Sequence, residues 1–491
     1  MILYNSLGDR REEFIPNEKG KVKMYTCGPT VYYFAHIGNL RTYIYEDILE
    51  KTLLYLGYDV KRAMNITDVG HLESDADEGE DKMLKGALRE HKSILEIAQF
   101  YTEAFKNDFK KLNLKWPDIV VPATSMIDEY IKMIQKLIDT GYAYFSDGNI
   151  YFDTSKLKNY YTLVKQSNED LMVGVRDDVE EDVNKKHPQD FVLWFTKSKF
   201  EAQALKWDSP WGVGYPGWHI ECSAISLKYL GEYLDIHCGG IDNKFPHHTN
   251  EIAQSESYLG HKWCNYWFHP RHLNMSDGKM SKSSGKFVTI DDLINKGYNP
   301  LAYKYFCLQS HYLKNLVFSY ENLDIAKNAY EKLIKKIQAL KEDGQIENDK
   351  MENYRKTFKD ALENNLNTPM ALTVVYDTLK SDMTDASKLA LIEEFDGVLG
   401  LGLTTKEDKL DEIPEELIKL LNERTEARRN KDYKKSDELR DLILSKGYKV
   451  VDNKEGSHLE KIWFKAWHLL CFFIACNFNF FIVYFIVWLK L

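Results

Sequence analysis

The period of apolar positions changes several times along the chain, and each change marks a new part. Residues 22–26 form a short β-type run, stopped by Cys27, Gly28 and Pro29. After Gly38, apolar residues recur at three- and four-residue spacing (Leu40, Tyr43, Ile44, Ile48, Leu49, Leu53, Leu56), which predicts a helix closed by Gly57. Residues 59–66 read as the next strand. Strand, glycine-containing loop, helix, strand is the βαβ unit of a nucleotide-binding sheet, and many doubly wound folds begin this way. From about residue 116 to 206 the alternation breaks into β-like runs among charged loops, such as 148–152 and 191–195. It resumes at Trp207 and lasts to about Leu308. Beyond Glu321 the chain turns helical, with Leu323, Ala326, Tyr330, Leu333, Ile337 and Leu340 in one apolar stripe. Further helices are expected around 357–380 and 388–399, interrupted at 364–369, where Pro369 suits the first turn of a helix.

These changes predict an α/β protein. A Rossmann-like parallel-sheet domain is split over 1–115 and 207–310, with an insertion domain at 116–206. An α-helical bundle follows at 311–405, a small C-terminal module at 406–462 and a hydrophobic tail at 463–491. A chain of 491 residues is too long for one compact core. In the small module Arg424, Arg428, Arg429, Lys431, Lys434, Lys435 and Arg440 mix with acids, which reads as a solvated ion-paired face or, more sharply, as an RNA contact. The formal charge of −10 neither favours nor excludes nucleic acid, because binding needs a local basic patch. Seven scattered cysteines do not suggest a disulfide framework. Residues 1–10 carry no apolar run, so no secretory leader is predicted and the expected compartment is the cytoplasm. Residues 469–489 are uncharged and as long as a membrane-spanning helix, which needs about 20 apolar residues. Membrane association is expected only if this tail is genuine, the other reading being an aberrant C-terminus.

Two segments suit phosphate chemistry. Residues 29–39 join the first strand to the first helix and end in His36, Ile37, Gly38 and Asn39. Backbone N–H groups and the dipole at a helix start attract anions, His36 and Asn39 add donors, and Gly38 lets a ligand lie against the main chain. Alone, the same residues would serve as a helix cap. Residues 277–286 place Lys279, Met280, Ser281, Lys282 and Ser283 between Gly278 and Gly285. Two lysines on a glycine-flanked loop can neutralise a triphosphate as pyrophosphate leaves. This pentapeptide would arise by chance in such a chain with a probability on the order of 10⁻⁴.

Together the two segments resemble the HIGH and KMSKS signatures of class I aminoacyl-tRNA synthetases, with Asn39 in place of the last His. Residues 26–30 around Cys27, 217–223 around Trp218 and Cys222, and 245–251 around His247 resemble, more narrowly, the cysteinyl-tRNA synthetases. By position, that resemblance implies Cys27, Cys222, His247 and Glu251 as ligands of one Zn2+ ion. Spacing alone picks out only His247 and Glu251, at i and i+4 on a helix, and that pair by itself would read as a surface couple. Segments 65–68, 71–82, 235–242 and 250–255 agree as well, with Cys238 where Gly is expected. The resemblance covers about residues 1–456.

The resemblance implies attack of the cysteine carboxylate on the α-phosphate of ATP, giving cysteinyl-adenylate and pyrophosphate. Transfer of the cysteinyl group to the terminal ribose of tRNA(Cys) follows. His36, Asn39, Lys279 and Lys282 are the implied catalytic residues. Pro29, Thr30, His36, Gly38, Asn39, Lys279, Met280, Ser281, Lys282 and Ser283 are the implied ATP site, with Mg2+ on the phosphates. Thr67 and Trp218 are implied to line the cysteine pocket, and Asp242 to hold nucleotide or amine; Trp218 reads equally as core packing. Residues 116–206 correspond to a connective-peptide insertion, 311–405 to a tRNA-stem bundle and 406–462 to an anticodon-binding module, in a monomer. A mycothiol-type cysteine:aminosugar ligase would share the metal and ATP sites but lack the terminal module. A non-catalytic RNA-binding paralogue would be expected to lose the loop lysines, and a methionyl-type enzyme would lack the four metal positions.

Overall fold

The computed structural model describes residues 1–69, 83, 93–164, 183–197, 205–275, 278–279, 287–405, 415–430, 432–446, 448–453 and 456–461. The chain divides into two compact units, Met1–Thr404 and Thr405–Leu491.

Five parallel strands organise the first unit. Lys21–Thr26 lies in the middle, with Asp59–Ile66 and then Ile119–Pro122 on one side, and Leu234–Cys238 and then Cys264–Phe268 on the other. The chain therefore winds outward in one direction, returns, and winds outward in the other. The reversal falls between Lys21–Thr26 and Leu234–Cys238, and such a switch point opens a crevice at the carboxyl ends of the two strands.

Strand parity sends alternate side chains to two cores. Val22, Met24, Val60, Met64, Ile66, Ile236 and Cys238 pack with the helix Ile37–Tyr55. Tyr25, Ala63 and Trp267 pack on the other core with the helices Ile127–Asp139, His219–Leu230 and His247–Leu259. On the first face the fully buried Arg62 guanidinium reaches Glu50 at 3.0 Å and Glu46 at 3.4 Å, which answers the acids that Ile37–Tyr55 turns inward.

Ala143–Ser146, Asn149–Phe152, Phe191–Phe195 and Tyr215–Pro216 make a four-stranded antiparallel sheet, which thus reaches past residue 206. The helices Tyr320–Gln338, Asn348–Glu363, Thr368–Lys380 and Asp385–Leu399 follow the parallel sheet. Asn365 and Leu366, both at positive φ, separate the second of these helices from the third, and a proline occupies the third's first turn. In the second unit, Glu415–Arg429 and Tyr433–Ser445 pack with a hairpin of Tyr448–Asn453 and Gly456–Lys461 on a core of Leu417, Ile443, Tyr448 and Leu459. Segment 71–82 and the tail 463–491 lie outside the described residues. Among the described residues no helix is long and apolar enough to cross a membrane.

Candidate metal and nucleotide site

Cys27 follows directly on the central strand, and its amide donates to Cys238 O at 3.1 Å, which seats it in the switch-point crevice. The next residue must be glycine. A Cβ on Gly28 would stand 1.6 Å from Asn65 O, while the Gly28 amide donates to Asn65 Oδ1 at 2.7 Å. The helix His219–Leu230 carries Cys222 in its first turn, and His247–Leu259 presents His247 and Glu251 one turn apart. These four side chains place one ligand-type atom each within 4.8 Å of all the others.

The separations fit an ion at the centre. Two sulfurs at about 2.3 Å from a tetrahedral ion stand about 3.8 Å apart, and a sulfur–imidazole edge is about 3.6 Å. Cys27 Sγ and Cys222 Sγ are 3.8 Å apart, and Cys222 Sγ lies 3.6 Å from His247 Nε2. Glu251 Oε1 is 3.0 Å from His247 Nε2, shorter than the roughly 3.4 Å of a nitrogen–oxygen edge. At that distance the contact has ion-pair length but not hydrogen-bond alignment, and Oε1 is left as a buried acceptor without a donor.

Burial pushes the Cys27 thiol up to about 11 and the Cys222 thiol well above its ordinary value. Burial also works against charge on Glu251, but His237 and His247 beside it hold that carboxyl at about 2. His247 is raised to about 10, Glu251 and Cys222 outweighing its burial. A half-buried and a buried thiol, an imidazole and an orphaned carboxylate oxygen make a donor set that can hold a metal ion, whose positive charge would favour the thiolates.

Further histidines orient these groups. His237 Nε2 pairs with Glu251 Oε2 at 2.8 Å, and His219 Nδ1 with His247 Nδ1 at 2.8 Å. His248 Nε2 lies 3.2 Å from Cys27 Sγ, while its Nδ1 meets His269 Nε2 at 2.7 Å, and His269 in turn meets Ser6 Oγ at 2.7 Å. Cys27, His237, His248 and Glu251 therefore form a second grouping that shares two members with the first. Burial lowers His219, His248 and His269 well below the ordinary imidazole range. None of these four histidines was singled out from the sequence; their only local signal was that each sits in or beside a buried strand or helix start.

Of the expected cysteine-pocket residues, Trp218 stacks on His247 with ring centroids 4.1 Å apart. Thr67 is buried, donates to Glu221 Oε2 at 2.6 Å and accepts from Asn65 Nδ2 at 3.0 Å. Burial pushes the Glu221 carboxyl up to about 8. Asp242 is exposed in the turn Ile241–Lys244, 3.9 Å from His272 Nδ1. Pro29 and Thr30 line the strand-to-helix connection, where Thr67 N donates to Pro29 O at 3.1 Å. His36 and Asn39 make a capping box at the start of Ile37–Tyr55, with Asn39 N donating to His36 Nδ1 at 3.0 Å. The helix-cap reading of these two residues is what the structure shows. A Cβ on Gly38 would stand 2.9 Å from His36 Nδ1 and 3.0 Å from its Cε1, so glycine here leaves space for the capping imidazole. The backbone of Gly278–Lys279 pairs with Asn274 and Met275, while Met280, Ser281, Lys282 and Ser283 lie outside the described residues. Cys238 is fully buried in the core beside Ile37–Tyr55, on the face opposite the cluster.

A family model described as tRNA synthetases class I (C) catalytic domain matches residues 13–328. The chain is 48% identical over 484 residues to a cysteine--tRNA ligase of Treponema denticola, covering 92% of this chain and 98% of that protein. It is 44% identical over 460 residues to one of Borrelia hermsii, covering 89% and 95%. A solved methionyl-tRNA synthetase of Mycobacterium tuberculosis in complex with methionyl-adenylate shares the fold at a TM-score of 0.53 and 13% identity, covering 81% of this chain and 94% of that one. Identity of that extent over almost the whole chain shows that it belongs to the cysteine--tRNA ligases, a family of class I aminoacyl-tRNA synthetases.

Proposed function

We propose that the chain joins L-cysteine to tRNA(Cys) through a cysteinyl-adenylate, with Zn2+ held by Cys27, Cys222, His247 and Glu251 recognising the substrate thiol. The observation that carries the reading is the four-residue cluster at the switch point, with Cys27 on the connection that leads from the central strand to the helix Ile37–Tyr55. Held by these four residues, zinc would supply a soft Lewis acid that favours a thiolate over the hydroxyl of serine. Cysteine and serine differ by one atom, and an apolar pocket separates such analogues by only about 1–3 kcal/mol.

The protein's own groups do the rest. Trp218, stacked on His247, and Thr67, fixed by Glu221 and Asn65, wall the pocket around the side chain of cysteine. Asp242, exposed in Ile241–Lys244, takes the amine or the nucleotide. Pro29, Thr30, Gly38 and the amides at the start of Ile37–Tyr55 receive ATP with its Mg2+, and His36 and Asn39 donate to the phosphates. Lys279 and Lys282, with Met280, Ser281 and Ser283 beside them, neutralise charge as pyrophosphate departs. No protein nucleophile is required. The helices between Tyr320 and Leu399 bind the tRNA stem, and the second unit reads the anticodon of tRNA(Cys). That unit has its own core, which favours a tRNA substrate over an aminosugar. The protein acts as a cytoplasmic monomer.

The test measures zinc stoichiometry and ATP–pyrophosphate exchange with a panel of amino acids, for the wild type and Cys222→Ser. Cysteine alone should drive exchange, and Cys222→Ser should lose zinc and cysteine-dependent exchange together. A zinc-free wild type with full activity would sink the metal assignment.

A further inference from the structure

Ile37 opens the helix Ile37–Tyr55, and later parts of the chain hold both of its main-chain groups. Its amide donates to Val288 O at 2.9 Å. Its carbonyl accepts the Tyr303 hydroxyl at 2.6 Å. Tyr303 lies in the helix Pro300–Leu308 and, like Ile37, is fully buried in the apolar core. Phenylalanine would fill the same apolar space, so the hydroxyl needs a reason of its own. A second tyrosine bond joins the two helices in the opposite sense: Tyr45, also fully buried, donates to Cys307 O at 2.7 Å. Between these two bonds Lys304 reaches Asp47 Oδ2 at 3.3 Å.

The two tyrosine bonds differ in what they fix. Tyr45 ties helix to helix more than two turns beyond Ile37. Tyr303 instead grips the peptide unit that joins Ile37 to Gly38. A trans peptide is planar, with its C=O and N–H pointing in opposite directions, so a held Ile37 carbonyl sets the direction of the Gly38 N–H. That amide is open. Of the first four helical amides, Ile37 N donates to Val288 O, Asn39 N to His36 Nδ1 and Leu40 N to His36 O, whereas Gly38 N has no acceptor among the described residues.

We propose that Tyr303 is a positioning residue, which aims the open Gly38 amide at the nucleotide by holding the carbonyl of Ile37. This rests on the reading of the helix start as the end that receives ATP. Tyr303 is buried and acts through the main chain alone.

ATP–pyrophosphate exchange in the full chain with its metal tests it on two variants. Tyr303→Phe removes only the hydroxyl at Ile37, and Tyr45→Phe removes the other tyrosine bond between the same helices. Zinc content and thermal unfolding show whether each variant is folded. Tyr303→Phe should raise the KM for ATP roughly tenfold, about the worth of one hydrogen bond, and leave the KM for cysteine within about twofold of wild type. Tyr45→Phe should lower the unfolding temperature at least as much, with both KM values within about twofold of wild type. An unchanged KM for ATP in Tyr303→Phe, or an equal rise in both variants, would overturn the positioning role. An unchanged KM for ATP in His36→Ala would instead overturn the reading of the helix start.

Discussion

Replacing Gly28 with alanine would drive a methyl carbon into the neighbouring strand end. An added Cβ lies 1.6 Å from Asn65 O and 2.7 Å from Asn65 C, whereas real Cβ atoms do not approach closer than 3.0 Å. The two main chains must therefore part by about 1.4 Å, the difference between 3.0 and 1.6 Å. Three hydrogen bonds cross that gap. They are Val31 N to Thr67 O at 3.2 Å, Thr67 N to Pro29 O at 3.1 Å, and Gly28 N to Asn65 Oδ1 at 2.7 Å. Lengthened by that amount they fall outside useful range, and at about 1 kcal/mol each the loss is on the order of 3 kcal/mol. The same movement carries Cys27 Sγ away from its 3.8 Å separation from Cys222 Sγ. Misplacement of about 1 Å at a reacting centre costs roughly 100-fold in rate. The expected variant is less stable, poor in zinc and slow in cysteine-dependent pyrophosphate exchange, measured by thermal unfolding, metal analysis and exchange kinetics. Full metal content with exchange within about threefold of wild type would refute the reasoning.

The opposite outcome is expected at the exposed Gly397, inside Asp385–Leu399, where an added Cβ meets nothing within 4 Å. Gly397→Ala should raise stability by about 0.5–1 kcal/mol, read as a higher denaturation midpoint; a lower midpoint would contradict it. Asp108 gives a pH-dependent case. Burial raises its carboxyl, opposed by Lys111 and aided by Asp291, to about 6 from 3.8. A raised carboxylic pKa means that the folded state holds the proton more tightly, so stability is highest below about pH 4, falls as pH rises to about 6, and stays lower above. Asp108→Asn should therefore be more stable than wild type at pH 7 by on the order of 2–3 kcal/mol and converge with it near pH 4. A variant less stable than wild type at pH 7 would count against the burial argument.

The first helix was legible because its apolar residues recur at helical spacing, and the observed Ile37–Tyr55 follows that stripe closely. The βαβ start was legible for the same reason. Strand order was not, since the pairing of Lys21–Thr26 with Leu234–Cys238 joins segments some two hundred residues apart and has no local signature. The antiparallel sheet was visible only in part: Tyr215–Pro216 is too short to show a period of two. In the site, motif resemblance named Cys27, Cys222, His247 and Glu251, whose convergence spacing could not supply. His219, His237, His248 and His269 escaped because a histidine inside an apolar run looks the same whether it faces a core or a site. Arg41 in Ile37–Tyr55 escaped because a charged residue in a helix is ordinarily read as solvent-facing, and only the fold reveals that it is buried and donates to His272 O and Lys314 O.

Strand parity also explains why so few of the cysteines enter the cluster. Five are found among the described residues, four of them buried, and burial raises every one of their thiols. Chemistry alone therefore does not separate Cys27 and Cys222 from Cys238. Cys238 is one residue from His237, whose imidazole reaches Glu251 at 2.8 Å. Consecutive strand residues point to opposite faces, so the Cys238 thiol enters the core against Ile37–Tyr55 while His237 faces the cluster. Its main chain still serves the site, because Cys238 O accepts the amide of Cys27. Cys27 lies just past the end of its strand, where pleat parity no longer dictates direction, and its sulfur turns toward Cys222. A thiol in place of the expected glycine at 238 is therefore accommodated as a small core side chain. The switch point places the backbone of one cysteine and the sulfur of another at the same strand ends, and only the second can hold a metal.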